Sequence, residues 1–205
     1  MALFLLIRHG ENEYVKKGRL AGRLPGVHLN ETGRSQAHSL ADKLKEAPIK
    51  AVYSSPLERT METAAPIAEA LGQEVIPREG LIETDYGEWQ DKKLKGLSRL
   101  DLWRVVQNRP SMMHFPQGEL MSETQQRICR ELLDLSRQHD PKDLVVCVSH
   151  SDPIKLAVAY FIGLPLDNFQ RLQVTPASIT ALIIGQGFSH LIMLNYDLSL
   201  GFSPP

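Results

Sequence analysis

The chain alternates short, unbroken apolar runs with longer stretches in which apolar residues recur every three or four positions. Leu3 to Ile7 is the first such run, and Leu144-Val145-Val146-Cys147-Val148 is the clearest. Unbroken runs of about four to eight residues suit parallel strands covered on both faces. Lys50 to Ser54 reads as another, while Val75-Ile76 and Leu81-Ile82 read as short extended pieces. Helical patterns lie between them. Asn30-Glu31-Thr32 offers a helix start ahead of Ala37, Leu40, Ala41 and Leu44. Ser55-Pro56 supplies a capping hydroxyl and a proline at the first helical position of a helix reaching Leu71, with Pro66 expected to kink or break it.

Further along, Trp89 to Pro110 predicts an irregular helical segment, and Glu119 to His139 a long helix with Ile128, Leu132 and Leu135 on its apolar face. Pro153 to Phe161 predicts a helix after the Val-rich strand. Ser178 to Ile184 and Phe188 to Leu194, joined by Gly185-Gln186-Gly187, read as a closing antiparallel hairpin. Strand-to-helix alternation argues an α/β three-layer sandwich with a mostly parallel central sheet flanked by helices. The chain reads as one domain over residues 1–205, with a lid-like segment at about 85–118 and a frayed Pro-Pro end.

Composition narrows the partners. Among 205 residues, 23 Lys and Arg balance 24 Asp and Glu, for a net charge of −1, which argues against a general nucleic-acid binder. The balance is uneven by position: residues 1–60 hold ten basic and six acidic side chains, so the N-terminal third is the part suited to face an anion. Two cysteines, Cys129 and Cys147, make no disulfide framework and fit a reducing, cytoplasmic setting. The apolar start reads as a strand rather than a signal peptide, and no stretch approaches the about 18 apolar residues of a membrane span. The closing hairpin offers an edge or face for a homodimer.

In open α/β sheets, ligands sit outside the carboxyl ends of the strands. Those positions hold Arg8-His9-Gly10-Glu11, Ser54-Ser55-Pro56-Leu57-Glu58-Arg59 and Ser149-His150-Ser151-Asp152. Two histidines and two arginines therefore converge on one edge. Paired arginines are a natural fork for a phosphoryl group, being always charged and able to bond it in bidentate fashion. A helix N-terminus after His150 adds main-chain N–H groups.

These three runs, in this order, resemble the histidine phosphatase superfamily, also called the phosphoglycerate mutase-like family. Leu29-Asn30-Glu31-Thr32-Gly33, Gln36-Ala37 and Gly87-Glu88-Trp89 extend the similarity over roughly residues 3–160. The resemblance implies that neutral His9 attacks phosphorus to give a phosphohistidine, that Arg8, Arg59 and His150 bind the phosphoryl oxygens, and that no metal or other cofactor is needed. It also implies a carboxylic acid from the stretch around residues 81–89 that protonates the leaving oxygen. Glu83 is the choice, with Asp85 and Glu88 as rivals. Glu11 is expected to position an Arg or His side chain. Arg23, with Lys16, Lys17 and Arg19, lies in the loop after His9, where it meets the rest of the substrate or is merely solvated.

The chain departs from the family's pattern at Val15, where many relatives carry Asn, at Gln90-Asp91, where Glu-Gly is frequent, and at Ser151-Asp152, where small glycines are frequent. Asp152 is expected to cap the helix that follows. The function implied is a metal-independent phosphatase acting on a small phosphorylated metabolite. A phosphoglycerate mutase-type phosphotransferase, a metal-dependent hydrolase and a non-catalytic phosphate-binding module are the alternatives.

Overall fold

The computed structural model describes residues 2–185 and 187–198. Its centre is a six-stranded sheet built from β1 (Ala2–Arg8), β2 (Ile49–Ser54), β3 (Val75–Pro77), β4 (Leu144–Ser149), β5 (Ile179–Ile184) and β6 (Ser189–Tyr196), in the order β3-β2-β4-β1-β5-β6. Strands β1 to β4 pair in parallel, and β5 and β6 close the sheet antiparallel. The α/β sandwich and its closing hairpin thus form as expected, although Gln186 of the turn and the Pro-Pro end lie outside the described residues.

Successive side chains of an unbroken apolar strand point to opposite faces, so each strand feeds two cores. Phe4, Leu6, Val145 and Cys147 pack under helices α6 (Met121–Gln138) and α7 (Ser151–Phe161), through Ile128, Leu132, Ile154 and Ala157. Leu5, Ile7, Val146 and Val148 pack under α2 (Glu31–Leu44) and α3 (Glu58–Ala70), through Leu40, Leu44, Ala64 and Ile67. A third cluster, with Trp89, Val106, Phe115, Met121 and Phe169 at its centre, forms beside the strand ends. Short helices α1 (Glu13–Lys16), α4 (Leu94–Leu97) and α5 (Asp101–Asn108) complete the chain around it.

Several local expectations are corrected. Helix α3 begins at Glu58, with extended Leu57 as its N-cap and no side-chain cap. The Ser55 hydroxyl bonds mainly to His150 Nε2, at 2.9 Å, and accepts from the Leu57 N–H only at 3.5 Å. Pro66 does not break α3, whose turns on either side are pinned to the sheet by buried Thr63, Ala64, Ile67 and Ala68. Leu81-Ile82 is extended only at Ile82, since Leu81 ends the 3₁₀ turn Glu79–Leu81. The carbonyls on either side, Gly80 and Ile82, accept from Arg127 rather than from a neighbouring strand.

The topology decides where chemistry can occur. Strand β4 inserts between β1 and β2 and pairs Arg8 with Ser149 and Ser54 with Val148. That register brings the residues following all three strands to one level, at the crevice where ligands of open α/β sheets bind.

Candidate active site

The loop leaving β1 is fixed before any ligand arrives. His9 N–H donates to Ser149 O at 3.0 Å, and Gly10 N–H donates to Thr63 Oγ1 at 3.0 Å. A Cβ on Gly10 would stand 2.7 Å from the Gly33 carbonyl oxygen, so glycine here admits the first turn of α2. Asn30 caps that turn, its Oδ1 accepting from Gly33 N–H at 2.9 Å.

His9 Nδ1 lies 2.8 Å from the Gly10 carbonyl. A carbonyl only accepts, so Nδ1 carries the proton and the Nε2 lone pair is left open. Burial, and then the charges of Arg59 and Arg8, hold this imidazole well below its usual pKa and keep it neutral. His150 stands edge-on, with ring centroids 5.2 Å apart. Its Nδ1 is 3.2 Å from Arg59 Nη2 and its Nε2 is bonded to Ser55. Burial first, then Arg59, His9 and Arg8, keep His150 neutral as well.

Arg8 donates from Nη1 to Val174 O at 2.7 Å, and Arg59 from Nη2 to Gly22 O at 2.7 Å. The remaining nitrogens are the informative ones. Arg8 Nε and both Nε and Nη1 of Arg59 are buried with no hydrogen-bond partner among the described residues. Buried charged donors are ordinarily satisfied, because leaving them bare costs several kcal/mol of desolvation. Both side chains line one cavity of about 300 Å³ together with His9, Glu83 and Asp152.

Glu83 is buried, with Oε1 accepting from Thr84 N–H at 2.9 Å and Oε2 3.8 Å from His150 Nδ1. Burial, then the neighbouring Asp152 charge, push its carboxyl up to about 7 against the opposing pull of Arg59 and Arg8. The rivals differ in placement. Asp85 accepts from Gly87 N–H on the main chain, and Glu88 is exposed; neither lines the cavity.

Three expectations change. Glu11 does not bond to an arginine or histidine among the described residues; its carboxylate accepts from Asn30 Nδ2 at 2.8 Å and ties the loop to the cap of α2. Arg23 does not line the cavity: its Nε donates to the Glu83 carbonyl at 2.8 Å and its Nη2 to Glu119 at 2.9 Å, so its charge is spent beneath the acid. Asp152 does not cap α7, for which His150 is the N-cap. It sits in the first turn with its carboxylate in the cavity wall, where Lys155 at 2.8 Å and the Tyr86 hydroxyl at 2.9 Å bind it. Burial pushes the Asp152 carboxyl up, but Lys155 and Tyr86 outweigh it and hold it ionised.

Some contributors carry little or no sequence signal. Arg127 donates to the carbonyls of Gly80, Ile82 and Glu83 and pairs with Glu119 at 2.9 Å, bracing the acid from α6. Asn12, fully buried, lines the cavity with an Nδ2 that has no partner among the described residues, while its Oδ1 caps α1. It stands three positions before Val15, where relatives' asparagine was missed, and the short cap-forming turn could have flagged it. Lys155 was hidden by its place within an otherwise apolar helix.

The chain is 31% identical over 204 residues to phosphoserine phosphatase 1 of Hydrogenobacter thermophilus, covering 98% of this chain and 95% of that protein. It is 30% identical to a 2,3-bisphosphoglycerate-dependent phosphoglycerate mutase of Thermoplasma acidophilum, covering 91% and 90%. Among solved structures, YhfR of Bacillus stearothermophilus superposes with a TM-score of 0.88 at 25% identity, over 97% of this chain and 98% of that one. A phosphoserine phosphatase of Entamoeba histolytica in complex with 3-phosphoglyceric acid gives 0.85 at 27% identity, over 97% and 98%. With the family's profile matching residues 4–197, the chain belongs to the histidine phosphatase superfamily, branch 1.

Proposed function

We propose that this chain is a phosphomonoesterase that hydrolyses a small phosphate ester through a phosphohistidine on His9. The observation that carries the reading is the neutral His9 ring, with Nδ1 tied to Gly10 O, beside two buried guanidiniums with N–H groups that have no partner among the described residues. An oxyanion with several acceptor oxygens satisfies those donors, and a lone pair at Nε2 supplies the nucleophile. In the first step the Nε2 lone pair forms a bond to phosphorus while the ester P–O bond breaks. Glu83 gives its proton to the departing oxygen, so an alcohol leaves. In the second step water attacks the phosphohistidine, Glu83 takes the water's proton, and the P–N bond breaks to release phosphate and restore neutral His9.

Arg8 and Arg59 balance the charge on the equatorial oxygens. His150 joins them once the anion draws Arg59 Nη2 away from its Nδ1: the Ser55 hydroxyl then donates to Nε2, and Nδ1–H is left for a phosphoryl oxygen. Asn12 Nδ2 is a further donor at the same site, in place of the asparagine absent at Val15. Helix α7 directs its first N–H groups toward the anion. The chain works as one domain, and the stretch from Asp85 to Gly118 walls in the leaving group. Two free, buried thiols, Cys129 and Cys147, support action in a reducing compartment such as the cytoplasm.

The test is release of inorganic phosphate from a phosphomonoester panel, including 4-nitrophenyl phosphate, by the wild type and His9→Ala between pH 5.5 and 7.5. Turnover by the wild type alone is expected. Equal release by both proteins, or conversion of a phosphoglycerate to its isomer with no phosphate released, overturns the reading.

A further inference from the structure

Away from the phosphoryl corner the cavity changes character. Its wall is mainly apolar, formed by Leu20, Leu94, Trp103, Val106 and Phe115, with Trp89 stacked on Trp103 at 6.2 Å and 23° between ring planes, and its other side chains, Tyr14, Gln107 and Gln170 among them, are uncharged apart from Arg19 and Asp152. Three arginines line the cavity. Two of them, Arg8 and Arg59, belong to the phosphoryl corner. The third, Arg19, is occupied: it donates to the Asp91 carbonyl at 2.7 Å and to the Asp91 carboxylate at 2.6 Å, and its guanidinium lies over the Tyr14 ring. Arg23 is turned under Glu83, and Lys17 is paired with Glu13 at 2.8 Å. Among the described residues of the wall, the charges are therefore Arg19, balanced by Asp91, and Asp152, balanced by Lys155 from outside the lining, and neither leaves an uncommitted cation.

A phosphomonoester bearing a second anion needs a second cation beyond the phosphoryl group, since a desolvated carboxylate without a partner is strongly disfavoured. An aromatic or alkyl group needs only a dry surface, and stacking on a tryptophan face adds about 0.5–1.5 kcal/mol beyond burial. Building on the proposed phosphatase reading, we propose that the preferred substrates are phosphomonoesters of uncharged aromatic or bulky aliphatic alcohols, and that esters carrying a carboxylate, such as phosphoserine and 3-phosphoglycerate, are discriminated against. A pocket of about 300 Å³ has room for a phosphoryl group and one ring-sized substituent.

The experiment compares kcat/KM for benzyl phosphate, ethyl phosphate, phosphoserine and 3-phosphoglycerate. All four have alkoxide leaving groups, so binding rather than leaving-group activation dominates the ranking. Benzyl phosphate is expected to exceed each of the other three by at least about tenfold, the effect of roughly 1.4 kcal/mol. Trp103→Ala should narrow the benzyl-to-ethyl ratio. Leu94→Lys, at a cavity-lining site that is 37% exposed and so tolerant of charge, should raise the 3-phosphoglycerate-to-benzyl ratio several-fold. A carboxylate ester equal to or better than benzyl phosphate, or ethyl phosphate matching it, overturns the inference and leaves the phosphatase reading standing. No phosphate from any ester, 4-nitrophenyl phosphate included, overturns both.

Discussion

The two ends of the cavity are built on opposite principles. At the phosphoryl corner, polar groups are held by the sheet: the main chain of His9 bonds to β4, Gly10 bonds to α3, and Arg8 and Arg59 are each anchored through one nitrogen. At the wall, apolar groups come from short helices α4 and α5 and the loops around them, and are held by packing on one another. The corner stores unsatisfied charge in a rigid frame; the wall stores surface on a part of the chain with few main-chain ties to the sheet. Transition-state stabilisation requires donors fixed in advance. Discrimination between leaving groups requires only shape and dryness, which loops can vary without disturbing the frame.

Breaking the corner should therefore cost far more than altering the wall. His9→Ala removes the nucleophile, and kcat should fall by at least about 10³-fold, as removal of a covalent nucleophile ordinarily does. Single-turnover assays with 4-nitrophenyl phosphate would read this directly, and an acid-labile phosphoenzyme should appear in the wild type alone. Next in size is Arg59→Lys. It keeps one positive charge but loses the fork whose Nε and Nη1 are unpartnered, and kcat should fall by about 10² to 10³-fold, the cost of one such donor. Retention of near-full activity would mean that Arg59 serves the fold rather than the phosphoryl group.

The same contrast explains what was legible in the sequence. Strand ends can be read from apolar runs, and once β4 lies between β1 and β2 the register places His9, Arg59 and His150 together. The wall gives a weaker signal: Trp103 and Phe115 in the lid-like segment suit a partly apolar pocket wall, but core packing accounts for them equally well until the tertiary fold turns them toward a cavity. The braces beneath Glu83 were hidden for another reason. Arg23 and Arg127 act on carbonyl oxygens, which every residue possesses, so no side-chain pattern marks their targets. The start of α3 was misread because the Ser55 hydroxyl bonds chiefly to His150 and reaches only the N–H of the N-cap Leu57, at 3.5 Å, not the helix's first turn. Asp152 was misread because position alone cannot tell a cap from a residue one turn-position later whose carboxylate finds Lys155 and Tyr86.

Asp152 links the two ends and gives a smaller, pH-dependent effect. Glu83 must be protonated to act as an acid, and its carboxyl titrates at about 7, so kcat/KM should decline as pH rises through that value. The negative charge of Asp152 is second only to burial in raising Glu83. Asp152→Asn removes that charge, lowers the Glu83 pKa, and should move the alkaline limb toward acid. The substrate's own ionisation near pH 6 is common to both proteins and cancels in the comparison. Stability gives an independent reading. A carboxyl whose folded pKa is raised loses stabilisation as pH rises from its unfolded value, about 4.3, toward 7. Glu83→Gln, which cannot ionise, should therefore melt above the wild type at pH 8.5, with the gap closing at pH 5. An unmoved pH limb in Asp152→Asn would separate Asp152 from the acid.

The smallest effect tests the wall by charge alone. Asp91 has a left-handed backbone, with φ of 64°, and grips Arg19 through both its carbonyl and its carboxylate. Asparagine accepts that conformation readily, so Asp91→Asn preserves the turn and the carbonyl contact while removing the charge that neutralises Arg19. The pair is substantially exposed, with side-chain accessibilities of 34% and 54%, and such pairs contribute at most about 1 kcal/mol. Melting temperature should accordingly shift little. The charge released at the cavity wall should instead appear in specificity, raising kcat/KM for 3-phosphoglycerate relative to benzyl phosphate by about two- to fivefold at low ionic strength and less in 0.5 M salt, where screening shortens its reach. If the ratio stays fixed while Leu94→Lys moves it, the Arg19 guanidinium lies too far from the leaving group to matter, and the apolar wall alone accounts for the selectivity.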